Sequence, residues 1–291
     1  MRILAVGIAT LDIVNVVAAY PAEDDEVRAI GQWRSRGGNA TNSLVVLSQI
    51  GHETAWGGCL SDDDNSELVR REMQRHQIDC SQVCIQPNAT LPTSYITLSE
   101  ANGSRTIVHY RQLDEYRFDD FEKIDVESYD WIHFEGRNVE ELELMMRYLR
   151  QKGLSNFSLE VEKHRDGIEE LFDLPGMLLF SRAYVSDKHN AGVRAFFDIL
   201  RERQIQVPVF CAWGKLGGWA MDERGKPYQQ PAWQPKQVVD TLGAGDVFNA
   251  AIIDAHLRGL SVEASLEFGC YLAGYKCGIQ GFDGLAEALQ A

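Results

Sequence analysis

The sequence predicts an α/β fold: a mostly parallel central sheet with helices on both faces, plus a small separate β-sheet. Three observations carry that expectation. From about residue 129 onward, short apolar runs alternate with helical periodicity, the rhythm of βα units. Earlier, two pairs of short alternating runs, about 12–34 and 93–110, break that rhythm and read as one small sheet made from two insertions. Finally, 291 residues with 45% hydrophobic content suffice for one large core. A single domain over 1–291 is therefore expected, with the strands of the small sheet inserted at about 12–34 and 93–110.

The elements follow in order. Residues 2–9 read as a buried strand ending near Gly7. Asp12–Ala19 and Val27–Trp33 read as exposed strands around a turn at Pro21–Asp25. Gly37-Gly38-Asn39-Ala40-Thr41-Asn42 opens a helix through Leu44, Leu47 and Ile50 that stops at Gly51. A strand at Thr54–Gly58 precedes a polar helix over Asp62–His76. Strand-like runs lie at Val83–Gln86, Thr93–Leu98 and Arg105–Tyr110, and Asn102-Gly103 supplies a hairpin turn between the last two. Strands at Trp131–Phe134, Phe157–Val161, Met177–Phe180 and Val207–Ala212 alternate with helices at Glu140–Gln151, Asp166–Phe172 and Val193–Arg203. A hairpin with Gly225 at its tip leads to helices at Ala244–Arg258 and Val262–Lys276.

Charge narrows the function classes. The net charge is −15, from 43 acidic and 28 basic residues, which argues against nucleic acid or anionic membranes as partners. No run approaches the roughly 18 apolar residues of a membrane helix, and the short apolar start runs straight into a strand; a cytoplasmic protein is expected. The six cysteines form no C-x-x-C pair and the seven histidines are scattered, so zinc is not expected and the thiols are read as free.

The chemistry is concentrated at Asp240-Thr241-Leu242-Gly243-Ala244-Gly245-Asp246. Gly243-Ala244-Gly245 leaves backbone N–H groups open to a phosphate. The helical pattern that follows makes them a positive N-terminus. Asp246, in the first helical turn, is placed to take a proton from an attacking hydroxyl. Read singly, Asp is also common in first turns and Gly-x-Gly is weak.

The longer string resembles the signature of the ribokinase-like (PfkB) sugar kinases. The resemblance implies a ribokinase-like fold with the small β-sheet as a lid over the sugar, Asp246 as catalytic base, and Gly243, Ala244 and Gly245 as the anion hole. At the sugar end, each candidate carries a plain alternative. Asp12 meets a hydroxyl or caps a turn. Asp24 reaches the sugar from the lid turn or is one solvated charge among four. Gly38, Asn39 and Asn42 bind a polyol or merely enter a helix.

Strings over nearly the whole chain look like the ketohexokinase branch of that family, among them Glu135-Gly136-Arg137-Asn138 and Cys277-Gly278-Ile279-Gln280-Gly281-Phe282-Asp283-Gly284. By matching position, Asp12, Asp24, Gly38, Asn39, Asn42 and Asp246 would hold the ketose. Arg105 would face the substrate or the phosphates. Trp213, Gly214 and Gly217 would lie along the nucleotide, with Cys270 lining the adenine pocket. Two departures stand out. Lys215 replaces an acidic residue after Cys211-Ala212-Trp213, and Ser181-Arg182-Ala183-Tyr184 stands where many relatives carry Asn-x-x-Glu. Arg182 would then contact phosphate, and Glu160 or Glu162 would serve Mg2+ through water. Arg137 is a site residue or a structural partner of Glu135.

The resemblance thus implies an ATP- and Mg2+-dependent kinase that phosphorylates the 1-hydroxyl of a ketohexose, with K+ as a candidate activator and a homodimer joined through the lid. Two alternatives stand beside it: the same chemistry on ribose, tagatose, a modified fructose or a nucleoside, and a sugar-sensing protein without catalysis.

Overall fold

The computed structural model describes residues 1–188 and 192–289. In chain order the strands are β1 (Arg2–Val6), β2 (Thr10–Val17), β3 (Gly31–Gly37), β4 (Glu53–Gly57), β5 (Cys59–Ser61), β6 (Cys84–Gln86), β7 (Thr93–Ser99), β8 (Arg105–Tyr110), β9 (Trp131–Glu135), β10 (Phe157–Val161), β11 (Met177–Ser181), β12 (Val209–Ala212), β13 (Gly218–Met221) and β14 (Pro227–Gln230). The helices are α1 (Asn39–Gln49), α2 (Asp64–Arg75), α3 (Phe118–Phe121), α4 (Val139–Gln151), α5 (Arg182–Lys188), α6 (Gly192–Glu202), α7 (Ala244–Leu257) and α8 (Val262–Lys276).

Eight strands form the large sheet in the order β14-β13-β12-β11-β10-β9-β1-β4. It is parallel from β4 to β12 and ends in the antiparallel hairpin β13–β14. Strand alternation divides its apolar side chains between two layers. On β11, Met177 and Leu179 pack with Val247, Ile252 and Leu266 of α7 and α8. Leu178 and Phe180 pack on the other face with Leu142, Met146 and Phe197 of α4 and α6. This is the three-layer α/β arrangement that the alternating rhythm requires.

The two early insertions meet in a separate four-stranded sheet, β3-β2-β7-β8. Its sidedness decides its use. Ser94, Ile96, Ile107 and His109 turn toward a cavity over the large sheet. Tyr95, Val108 and Tyr110 are at least 49% exposed.

Some boundaries differ from the sequence expectation. The strand expected at Val27–Trp33 runs instead over Gly31–Gly37. The consecutive acids Glu23, Asp24, Asp25 and Glu26 are all exposed, and residues 25–30 take no regular structure. The later register buries Arg36 at the sheet's inner end. The helix expected at Asp166–Phe172 is a single 3-10 turn, Ile168–Leu171. Helix α5 was not anticipated; the Ser181 hydroxyl accepts from Tyr184 N at 3.0 Å and starts it. Residues 59–61, given no element in the sequence reading, pair with Cys84–Gln86 as a two-stranded sheet. Every one of the six cysteines is a free thiol, and no helix among the described residues is long and apolar enough to cross a membrane.

Candidate active site

The site lies outside the carboxyl ends of the parallel strands, where β1 has β4 on one side and β9 on the other. Glu135 closes β9 and Glu160 lies near the end of β10, paired in register. Helices α1 and α7 bring their N-termini to the same place. Gly38 begins α1 with φ 105°, and a Cβ there would stand 2.2 Å from the Ile8 carbonyl oxygen. Only glycine lets the chain pass this close to the loop after β1. Gly243 begins α7 with φ 77°, and no side chain caps that helix. Its first-turn N–H groups therefore lack intrahelical acceptors. A Cβ on Gly245 would meet nothing within 4 Å, so the turn is open on that side, while Ala244 N reaches back to the Thr241 carbonyl at 3.4 Å.

Two cavities flank this turn. The polar one, of about 480 Å³, is lined by Asp12, Gly38, Asn39, Asn42, Arg105, Glu160, Glu162, Gly243, Ala244, Gly245 and Asp246. The apolar one, of about 530 Å³, is lined by Gly214, Lys215, Gly217, Trp233, Phe248, Cys270 and Gly274. Arg105, Ala212, Thr241, Ala244 and Gly245 border both. The two cavities thus meet between the N-terminus of α7, Arg105 of β8 and the end of β12.

Asp246 sits on the floor of the polar cavity, 7% exposed. Its Oδ2 accepts from Asn42 Nδ2 at 2.6 Å. Arg36, fully buried, holds Asn42 in turn: Nη1 donates to Asn42 Oδ1 at 2.8 Å and to Thr41 Oγ1 at 2.7 Å. Burial pulls the Arg36 guanidinium down to about 10, still charged at neutral pH. Burial, and then the neighbouring Glu162 and Glu135, push the Asp246 carboxyl far above the carboxylate range, against the opposing pull of Asn42 and Arg36. Asp12 is raised by burial and accepts from Thr10 Oγ1 at 2.9 Å. Asp246 is thus oriented by a two-residue relay and left with a high proton affinity, the property a general base uses.

Glu160 is raised well above the usual range by burial first, then by Asp246 and Glu135. Its Oε1 accepts from Asn39 Nδ2 at 3.0 Å. Its Oε2 faces His133 Nε2 at 3.9 Å, and neither atom has another partner. Burial holds that imidazole neutral, its pKa down to about 4. Glu162 lines the cavity with a partly exposed side chain and an ion pair to Lys163 at 3.5 Å. No group of three metal-ligating side chains occurs among the described residues. Glu160 and Glu162 carry the oxygen donors that a divalent ion takes.

Three sequence-predicted residues line neither cavity. Asp24 is exposed at the far end of the lid turn, with φ 66°. Arg182 lies 5.9 Å over the Trp213 ring, and both stand outside the two cavities. Arg105 does reach the site: its Nη1 donates to Thr241 Oγ1 at 3.4 Å, joining the lid to the α7 turn. Arg137 pairs with both Glu115 (2.7 Å) and Glu135 (3.5 Å), a structural role at the cavity wall. The sequence reading assigned no role to Arg36, His109, Lys163, Arg165 or Thr241. The signal for Lys163 and Arg165 was their position just beyond the carboxyl end of β10; Arg36 carried none.

A polar pocket with a buried carboxyl, an apolar pocket, and a helix N-terminus between them without a side-chain cap fit a small-molecule phosphotransferase. Residues 1–283 match the pfkB family of carbohydrate kinases, and the chain belongs to that family. It is accordingly a phosphotransferase acting on a sugar hydroxyl. Mouse ketohexokinase is 37% identical over 98% of both chains. A 2-dehydro-3-deoxygluconokinase from Haemophilus influenzae is 26% identical, over 83% of this chain and 86% of that one. The Arabidopsis thaliana ribokinase structure, complexed with ribose and ATP, superposes with a TM-score of 0.81 at 20% identity over 100% of this chain and 99% of that one, a likeness of fold.

Proposed function

We propose that this enzyme transfers the γ-phosphoryl group of ATP to the 1-hydroxyl of a ketohexose, fructose being the candidate, with Asp246 as the general base. The observation that carries the reading is the junction of the two cavities at Thr241, Ala244 and Gly245, with Asp246 one residue further on. The 37% identity to mouse ketohexokinase supports the choice of sugar.

In this reading the ketose lies in the polar cavity against Asp12, Gly38, Asn39 and Asn42. Carboxylate and amide groups suit a polyol because they offer both acceptors and donors. The adenine end of ATP lies in the apolar cavity beside Cys270, Gly214 and Gly217, with Lys215 at its edge. Asp246 accepts the proton of the 1-hydroxyl as its oxygen bonds to the γ-phosphorus. The bond from phosphorus to the β,γ-bridging oxygen breaks, and ADP leaves with that electron pair. The N–H groups at Gly243–Gly245 meet charge on the transferred oxygens, and Arg105 closes over them from the lid. Mg2+ bound to the nucleotide would supply further charge neutralisation, with Glu160 and Glu162 as its outer partners. K+ is a candidate activator.

The lid's exposed face supports a homodimer. Tyr95, Val108 and Tyr110 present an apolar patch on a thin sheet that is marginal by itself. Sugar contact by Asp24 belongs to this assembly, since in the single chain Asp24 stays outside the cavity.

The experiment is a substrate panel: kcat/KM for MgATP with fructose, tagatose, sorbose, ribose, glucose and adenosine. Fructose is expected to lead the panel. Turnover led by ribose or adenosine would keep the family and overturn the ketose assignment. Sugar binding without turnover on any member would favour a sensor.

A further inference from the structure

Lys276, the last residue of α8, has a side chain that is 0% exposed. An ammonium removed from water is costly unless its partners are close and charged. Here they are: Nζ donates to Asp240 Oδ2 at 2.7 Å and to the Asp240 carbonyl oxygen at 3.0 Å. Asp240 uses its remaining capacity on backbone. Its Oδ1 accepts from Leu242 N at 2.9 Å, and its Oδ2 from Gly281 N at 3.0 Å. The Phe282 ring stands 5.5 Å from Nζ. The same ring would lie 2.3 Å from a Cβ on Gly243.

These contacts join two parts of the site. Asp240 begins the turn that delivers Gly243–Gly245 to the cavities. Helix α8 lines the apolar cavity with Cys270, Ala273 and Gly274. Val239 N and Asp240 N both donate to the Cys277 carbonyl at 2.8 and 3.3 Å, so the turn is laced to the end of α8. A cation at a helix C-terminus is also favoured by the helix dipole. Lys276 itself lines neither cavity.

We infer that Lys276 is a positioning residue for phosphoryl transfer: its ammonium is a tethered internal cation that neutralises Asp240 and holds the Gly243–Gly245 turn in register with the nucleotide cavity. This rests on the reading of that turn as the phosphate cradle.

The test is chemical rescue. Lys276→Ala and Lys276→Met are assayed for kcat, for the KM of each substrate and for thermal melting, with and without methylammonium. A turn displaced by about 1 Å should cost on the order of 10²-fold in kcat, with the sugar KM little changed because Asp12 and Asn42 are untouched. Methylammonium should restore at least fivefold of the Lys276→Ala loss, and tetramethylammonium, too large for the site, should not. A kcat within threefold of the unmodified enzyme would overturn the inference. So would a folded Lys276→Ala protein that no small ammonium improves. If both variants stay unfolded even in methylammonium, the role is structural and the inference fails. Failure of the cradle reading is recognised separately: Gly243→Ala would then leave turnover intact.

Discussion

Replacing Asp246 with Asn should slow the enzyme and stabilise it, and the stabilisation should grow with pH. Asn keeps the shape of Asp and can turn its carbonyl oxygen toward Asn42 Nδ2, so the 2.6 Å hydrogen bond has a successor. What disappears is the base. Loss of a positioned general base costs about 10²–10⁴ in turnover. What also disappears is the cost of ionising a buried carboxyl among other carboxylates. In the folded enzyme its pKa is raised from 3.8 to about 8. The sign follows from linkage: a folded pKa above the unfolded one contributes stability that is fully present below the unfolded value and is lost as pH rises through the folded one. Asn has no such loss. At about 1.4 kcal/mol per pKa unit, discounted for relaxation around the site, the variant should gain on the order of 2–4 kcal/mol near pH 8. For a chain of this size that is roughly 3–6 °C in melting temperature. The assay is differential scanning fluorimetry of both proteins from pH 5 to pH 9 without ligands, beside a coupled ADP-release assay. A melting difference that does not widen with pH, or turnover within tenfold of the unmodified enzyme, would refute the reasoning.

Other outcomes follow from the same geometry. The acid limb of kcat/KM should lie above the ordinary carboxylate range, because the free enzyme must lose the Asp246 proton before it can accept one from the sugar; a pH–rate profile checks this, and a limb near pH 4 would contradict it. Arg36→Met leaves Asn42 Oδ1 and Thr41 Oγ1 without their buried donor, and should cost about 2–4 kcal/mol of stability, read by urea unfolding. Gly243→Ala must place a methyl against Phe282 in a left-handed backbone, and should lower kcat at least about tenfold with the sugar KM little changed, read by steady-state kinetics. Val108→Glu puts a charge in the exposed lid patch and should shift a dimer to monomer in sedimentation velocity; an unchanged species would remove the lid as the interface.

The fold was legible because its signals are local. Runs such as Phe157–Val161 and Val262–Lys276 carry their periodicity in a few residues, and both match the structure at each end. The two lid insertions were legible because their alternating pattern breaks the βα rhythm. The start of β3 was not, because side chains near residue 30 look strand-like while the run of acids before them keeps the backbone out of the sheet. That Asp246 and the glycine turn share one cavity was readable from a contiguous string. The support behind them was not: Arg36 and Asn42 stand six residues apart on β3 and α1, but Asp246 lies 204 residues beyond Asn42, and only folding brings the relay together. The positions of Trp213 and Arg182 outside both cavities were hidden for the same reason, since a side chain next to a cavity-lining glycine can point either way.

The most direct test of the central claim is the position of the phosphate in the product. Fructose and MgATP would be turned over to completion and the product examined by 31P–1H correlation NMR. The account predicts a phosphate coupled to the two C1 protons, as geometry that aims the 1-hydroxyl at Asp246 requires. A phosphate on C6, or none on fructose at all, would contradict it.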